Sequence, residues 1–358
     1  MSIPSPVREV IELARWAPSG DNTQPWRFEI VDAHHFIVHA FDTREHCVYD
    51  LDGHPSQIAV GAMLETLAIA ASAHGLRAVV GRRPGSPDTH PDYSVELVPD
   101  AAIAPDRLLD AVKRRTVQRR PLRTDRLSAA DKLALEEAVG DGFSVCWFEG
   151  AGLRWRLARL MFANARLRLT MPEAYLVHRD IIEWQAQYSE DKVPDRALGL
   201  DAGTLRLMRW VMGSWQRVRF FNTWLAGHLT PRIEMDLLPG FLCAAHFAIR
   251  ARTAPKTVDD YVAAGRAVQR FWLTATNLGL QLQPELTPLI FSRYVREGVA
   301  FSGMPGARET AERLNRRLGG ILQGVPLDQV AFLGRIGRGR PATSRSLRLP
   351  VERLMRGD

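Results

Sequence analysis

Apolar residues at Val7, Val10, Ile11 and Ala14 recur at helical spacing and predict a helix over Val7–Trp16 that stops at Pro18. Ser19–Pro25 is polar and reads as a loop. Trp26–Val31 and Phe36–Phe41 read as two strands joined by a polar turn at Asp32–His35. Ile58–His74 is so rich in alanine and aliphatic residues that it predicts a helix packed on all sides, ended by Gly75. Tyr93–Val98 alternates as a strand, Pro105–Lys113 predicts a short helix, and Ser128–Val139 predicts another in which Ser128 and Asp131 form a capping pair. Phe143–Phe148 reads as a buried strand. From Leu153 to about Asp236 the pattern changes to long helical segments carrying Trp155, Trp184, Trp210, Trp215 and Trp224. Strand-like sequence returns at Phe241–Ile249. Thr257 and Asp260 then cap a long helix to Asn277, Ala307–Leu322 is a further helix, and Val330–Leu333 is a last strand. The class this predicts is α+β with a helical insertion.

Glycine spacing suggests an internal repeat. Gly61 and Gly75 are 14 residues apart, as are Gly265 and Gly279 (75 − 61 and 279 − 265). Each pair brackets an apolar helix, ends in Gly-Leu and leads into an extended segment. A common helix stop recurring by chance explains this, and so does a chain of two related halves, each centred on one buried helix. The second view divides the chain into 1–152, a helical insertion at 153–236, and 237–358.

Composition narrows the partners little. Among 358 residues, 46% are hydrophobic and 24% charged, which excludes a disordered chain. Lys and Arg outnumber Asp and Glu by 47 to 40, a net charge of +7 that permits anionic partners without selecting one. Cys47, Cys146 and Cys243 are far apart, with no metal-ligand spacing, and suit a reducing compartment. The first twenty residues carry no apolar leader core, and the longest apolar runs, Ile58–Ala73 and Leu237–Ile249, are too short for a membrane span. The expectation is a soluble, cytoplasmic chain without a metal, a nucleic-acid partner or a membrane partner.

Four segments carry candidate chemistry. In Ala17-Pro18-Ser19-Gly20-Asp21-Asn22-Thr23-Gln24-Pro25-Trp26, two prolines fix the course, Gly20 allows a left-handed turn, and polar side chains could meet a planar, polar-edged ligand; a rigid connector fits equally. Arg114-Arg115-Thr116-Val117-Gln118-Arg119-Arg120 could hold a phosphate or be a solvated charge run. Gln281-Leu282-Gln283-Pro284-Glu285 places amides and backbone groups at the mouth of a buried helix. The Arg-rich tail, notably Arg345 and Arg348, could return to close an anionic site.

Together these segments resemble the FMN-dependent nitroreductase superfamily. APSGDNTQPWRF is similar to its APS-x-x-N-x-QPW-x-F signature, and Arg114–Gln118 to its RRS-x-R segment, with Gln118 where the family usually has Arg or Lys. Asn277–Leu280 followed by Gln283-Pro284-Glu285 resembles the flavin-edge region, and Arg345–Pro350 the closing R-x-P segment. Short members carry RRS-x-R before APS and build the site across a homodimer. Here APS comes first, with one RRT, as in the long, internally duplicated branch (Acg-like proteins and modules fused to ThiF-type domains).

The resemblance implies a nitroreductase-like fold, an antiparallel-dominated sheet flanked by helices, in which one chain mimics the family dimer, as a monomer or as part of a homodimer. It implies one FMN site. Arg114, Arg115, Thr116 and Gln118, with Arg345 and Arg348, would lie at the phosphate and ribityl chain. Pro18, Ser19, Gly20 and Asn22 would line the isoalloxazine, and Gln283, Pro284 and Glu285 would present backbone near N5. The implied activity is hydride transfer from NAD(P)H through FMN to a small-molecule acceptor. Two alternatives are a store that sequesters FMN beneath the insertion and a redox module serving an adenylating enzyme; if the insertion reaches over the flavin, side chains such as Trp184 or His178 would exclude water and define the substrate pocket.

Overall fold

The computed structural model describes residues 6–224 and 227–356. It combines helices with two four-stranded sheets whose strand pairs are all antiparallel. Helix α1 (Pro6–Ala14) leads into β1 (Trp26–Ile30), β2 (His35–Ala40), helix α2 (His54–Ser72), β3 (Leu76–Arg82) and β4 (Asp92–Pro99). Helices α3 (Leu109–Arg114) and α4 (Ala129–Ala138) follow, and then β5 (Phe143–Phe148). The insertion begins with α5 (Ala151–Thr170) and α6 (Pro172–Ile181), continues through short strands over 182–194, and includes α7 (Ala202–Met212) and α8 (Trp215–Trp224). The chain rejoins the body at β6 (Ala245–Ala251), α9 (Val258–Asn277), β7 (Leu280–Pro284), α10 (Thr287–Glu297), α11 (Ala307–Leu322) and β8 (Val330–Arg338).

The sheets share one topology. The first runs β1-β2-β4-β3 and the second β5-β6-β8-β7, so each has two strands before its central helix and two after it. Phe143–Phe148 precedes residue 152 in the chain yet is the edge strand of the second sheet, paired with β6.

The central helices α2 and α9 cross at their glycines. A Cβ on Gly61 would lie 2.0 Å from the Val262 carbonyl oxygen, and one on Gly265 would lie 2.0 Å from that of Ile58. A single offset of 204 relates Ile58 to Val262, Gly61 to Gly265 and Gly75 to Gly279 (262 − 58, 265 − 61 and 279 − 75). The same offset carries Glu65 to Gln269 and Thr66 to Arg270 and so relates two polar contacts: Arg270 meets Glu65 at 2.8 Å, and Gln269 donates to the Thr66 hydroxyl at 2.8 Å. The glycine spacing read in the sequence therefore marks the crossing of α2 and α9, closed by backbone approach that only glycine permits.

Local chemistry explains most element ends. Ser128 with Asp131, and Thr257 with Asp260, are reciprocal capping boxes that start α4 and α9 where expected. Four boundaries are corrected. Pro55 in the first turn starts α2 at His54, and the short helix α3 begins at Leu109, after the Asp106 carboxylate turns the chain by accepting from Leu108 N. Leu238–Phe241 is a helical turn that delays β6 to Ala245, and β8 continues past Leu333 to Arg338. Helix α10 is an addition to the expected elements.

Candidate functional site

A cavity of about 760 Å³, within the range of small-molecule sites, opens between the two halves and the insertion. Of the thirteen residues singled out in the sequence, Pro18, Ser19, Gly20, Asn22, Arg115, Thr116, Gln283, Pro284, Glu285, Arg345 and Arg348 line it. Arg114 and Gln118 do not. Arg114, the last helical residue of α3, projects to the surface and donates to Asn277 Oδ1 and the Asp110 carbonyl. Gln118 is a buried brace: its Nε2 donates to the Arg340 carbonyl at 2.7 Å and its Oε1 accepts from Arg120 N.

The loop after α1 is held in an uncommon backbone. Gly20 was expected to take the left-handed turn, but Asp21 (φ 49°), Asn22 (φ 63°) and Gln24 (φ 48°) take it instead. Such conformations cost energy for residues with a Cβ and persist where surroundings enforce them. Here Gln24 N donates to Ser19 Oγ, Gln24 Nε2 to the Glu190 carbonyl, and Gln24 Oε1 accepts from Leu349 N. Asn22 Nδ2 donates to the Glu190 carbonyl at 3.0 Å. The loop is thus clamped by the insertion on one side and the tail on the other.

The tail does return. Arg345–Ser346 pairs in parallel with Tyr188–Ser189 of the insertion, and Arg348 Nε donates to the Ala17 carbonyl at 2.8 Å. Arg345 Nη1 and Nη2 donate to the Lys113 and Arg115 carbonyls. Past the end of α3 the chain turns extended, and Gln118 N donates to the Leu282 carbonyl beside β7. These contacts bring Arg115, Arg345 and Arg348 to one end of the cavity. Arg115 and Arg348 are buried and Arg345 is partly so. Arg115 lies over the Trp272 ring at 4.6 Å, and Arg345 over Trp16 at 5.3 Å.

Among the described residues no carboxylate pairs with Arg115, Arg345 or Arg348. Burial lowers the pKa of Arg115, and so do Arg348 and Arg345; burial, Arg345 and Arg15 pull Arg348 to about 9. Both stay charged at neutral pH, so each is a desolvated cation beside like charges. Six buried polar atoms on cavity-lining residues lack a protein partner: Nε of Arg115, Arg168, Arg335 and Arg345, and the amide oxygens of Asn22 and Gln283. Dry and unpaired, each costs about 1–3 kcal/mol.

At the β7 end the backbone is largely committed. Glu285 N donates to the Leu333 carbonyl, Pro284 has no N–H, and Gln283 is in register with Arg335. The Glu285 carboxylate faces Arg335 Nη1 at 3.5 Å and His246 Nδ1 at 2.7 Å, while His246 Nε2 faces the Gly240 carbonyl at 2.7 Å. Both imidazole nitrogens meet acceptors, so the ring is doubly protonated. Burial opposes that charge most strongly, but Glu285 and Cys243 together outweigh it and hold His246 up at about 10. A raised histidine pKa stabilises the fold fully below its unfolded value near 6.5, and that contribution is lost as pH rises through 10. The thermal midpoint should fall by more than about 2 °C between roughly pH 8 and pH 11 through this group. In His246→Gln, followed by calorimetry, that part of the decline should be missing.

The opposite wall comes mainly from the insertion. Tyr49 donates to His178 Nε2 at 3.0 Å; burial and then Arg168 drive His178 down to about 3, so it is neutral. Arg168 pairs with Asp236 at 3.1 Å, yet burial lifts Asp236 to about 6. Asp21 is also raised, by burial, against the pull of Arg119 and Arg168. His178 lines the cavity, whereas Trp184 packs with the apolar clusters of the insertion. Sequence reading carried Arg119 only as part of the Arg114–Arg120 run and missed Arg168, Arg335, Tyr49 and Asp236. Only Arg335 left a local signal, a lone cation between Gly334 and Gly337 in an apolar strand.

No family model matches the sequence. The uncharacterized protein MT1398 of Mycobacterium tuberculosis (strain CDC 1551 / Oshkosh) is 25% identical over 297 residues, covering 81% of this chain and 40% of that protein. The chain thus spans about two fifths of that relative's length. Among solved structures, the FMN-dependent nitroreductase NfnB of Mycobacterium smegmatis in complex with NADPH is 16% identical, with a TM-score of 0.37 over 70% of this chain and 99% of its own. A nitroreductase with bound FMN from Bacteroides fragilis is 14% identical, with a TM-score of 0.31 over 66% and 89%. A nitroreductase-like family protein from Bacillus cereus is 12% identical, with a TM-score of 0.34 over 71% and 96%. At these scores the overlap is partial.

Proposed function

We propose that the cavity holds one FMN and that the chain is a nitroreductase-like oxidoreductase, with the β1–β4 and β5–β8 sheets and their central helices acting as the two halves of a dimer-like body and 153–236 as its cover. The observation that carries this reading is the cluster of Arg115, Arg345 and Arg348, three guanidiniums without a carboxylate at one end of a largely apolar cavity. A phosphate monoester answers that cluster, because its oxygens accept several charge-assisted hydrogen bonds at once. The unpaired amide oxygens of Asn22 and Gln283 suit the polar edge of a planar ring, and Ala62, Val268 and Trp272 supply apolar surface nearby.

Bound there, FMN would supply hydride acceptance from NAD(P)H and hydride donation to a small-molecule acceptor. The protein's part is to fix the phosphate, present the two amides, and exclude water with the insertion. Asp236, held at about 6, is a carboxyl able to exchange a proton near neutrality. The insertion's large share of the lining also favours a second reading, in which it shuts the cofactor away from nicotinamide.

Titration of the cofactor-free chain should reach one FMN per chain. No binding, or two flavins per chain, would overturn the proposal. Stopped-flow mixing with NADPH and NADH then separates the two readings: rapid bleaching at 450 nm identifies an enzyme, and bleaching only after the insertion is shortened identifies a store.

A further inference from the structure

Helices α7 and α8 turn Met208, Val211, Met212 and Val218 toward the cavity. Their outer surface carries different chemistry. Trp210 is 52% exposed, Phe220 54%, Trp224 75% and Leu207 50%. The exposed ionic side chains among them are Arg206, Arg209, Arg217 and Arg219, and the sequence has no Asp or Glu from Ala202 to Ile233. The cations and aromatics are organised together: the Arg217 guanidinium lies 4.6 Å from the Trp210 ring centroid, and its Nη1 donates to the Trp210 carbonyl at 3.1 Å. Leu207 belongs to both surfaces, since it lines the cavity and is half exposed.

We propose that this face docks on an anionic lipid bilayer, lying in the headgroup region with the cavity mouth toward the membrane. Large exposed aromatic and aliphatic side chains in one patch mark an interaction surface. Their mixture with arginine alone is the chemistry of an interfacial helix, in which apolar groups enter the acyl boundary and guanidiniums reach back to phosphates. At 11 and 10 residues the helices are too short to span a bilayer, and no described helix is long and apolar enough to do so. A second copy of the chain is a poor occupant, because a twofold contact would press these arginines against their own equivalents.

The test is flotation of the full-length protein with vesicles of phosphatidylcholine alone or with phosphatidylglycerol added; it does not depend on FMN. Binding to the anionic vesicles should exceed binding to neutral ones by about tenfold or more, and should weaken with salt. Arg206→Glu with Arg209→Glu should remove that preference, and Trp210→Ser with Trp224→Ser should lower binding by about tenfold. Arg313→Glu with Arg316→Glu, exposed on α11, should change nothing. Circular dichroism would establish that each variant is folded. Equal affinity for both vesicles, no binding, or binding untouched by the α7 and α8 substitutions would overturn the proposal. So would a solution dimer that dissociates on Trp224→Ser.

Discussion

The double variant Arg115→Ala, Arg348→Ala should lose FMN almost entirely while remaining folded. Each guanidinium offered to a phosphate contributes about 1.5–3 kcal/mol through charge-assisted hydrogen bonds, so each single variant should bind roughly ten- to a hundredfold more weakly. The second effect runs the other way. Without the cofactor the two cations lie buried near Arg345 with no carboxylate opposite, and removing them relieves desolvation and mutual repulsion. The cofactor-free double variant should therefore melt no lower than the cofactor-free parent. Equilibrium titration by flavin fluorescence and calorimetry of both forms make the check. Unchanged FMN affinity would return Arg114–Arg120 to a structural role, and a large loss of stability without ligand would show that the cluster supports the fold.

Gly61→Ala should cost at least about 3 kcal/mol in chemical denaturation, among the largest effects of any single methyl group in this chain. The added carbon would sit 2.0 Å from the Val262 oxygen and 2.9 Å from Gly265 Cα, so no side chain can move aside to admit it. Gly265→Ala should behave alike, since its Cβ would meet the Ile58 oxygen at the same distance. The two should not add, because either one already forces the helices apart. Gly320→Ala is the contrast: a Cβ at that helical position would meet nothing within 4 Å, and the change should stabilise by about 0.5–1 kcal/mol. A cost below about 1 kcal/mol for Gly61→Ala would mean that α2 and α9 do not meet as described.

What could be read in advance followed the strength of local chemistry. Helices α4 and α9 begin at capping boxes, α11 has a clean amphipathic period, and β5 is an apolar run broken only by Ser144; all four fall at the positions expected, although β5, expected to be buried, is an edge strand in which Phe148 alone is buried. Helix α10 is less legible: Pro288 opens it and Gly298 closes it, but its N-cap is Leu286, which has no side-chain oxygen to mark the start. The site divides the same way. Its loops carry polar residues in places where packing gives them no purpose, and that is visible in a sequence. Arg168, His178 and Asp236 sit on helical segments with polar residues on several faces, so nothing local says which of them turns inward. Only the docking of the insertion decides that. Gln118 shows the converse: a residue in the right segment is spent on the Arg340 carbonyl.

The tail contacts have a consequence for how the protein is made. Arg348 bonds the Ala17 carbonyl across 331 residues of chain, and Leu349 bonds Gln24 across 325. On a ribosome adding about 5–20 residues each second, the first sheet is available for tens of seconds before its closing arginines exist. The first sheet can fold in that interval, whereas β8 (Val330–Arg338) precedes Arg345 by only seven residues (345 − 338), so the second sheet closes together with the tail. The end of the cavity that these arginines line is therefore complete only once the tail has been made and has docked at Ala17 and Gln24.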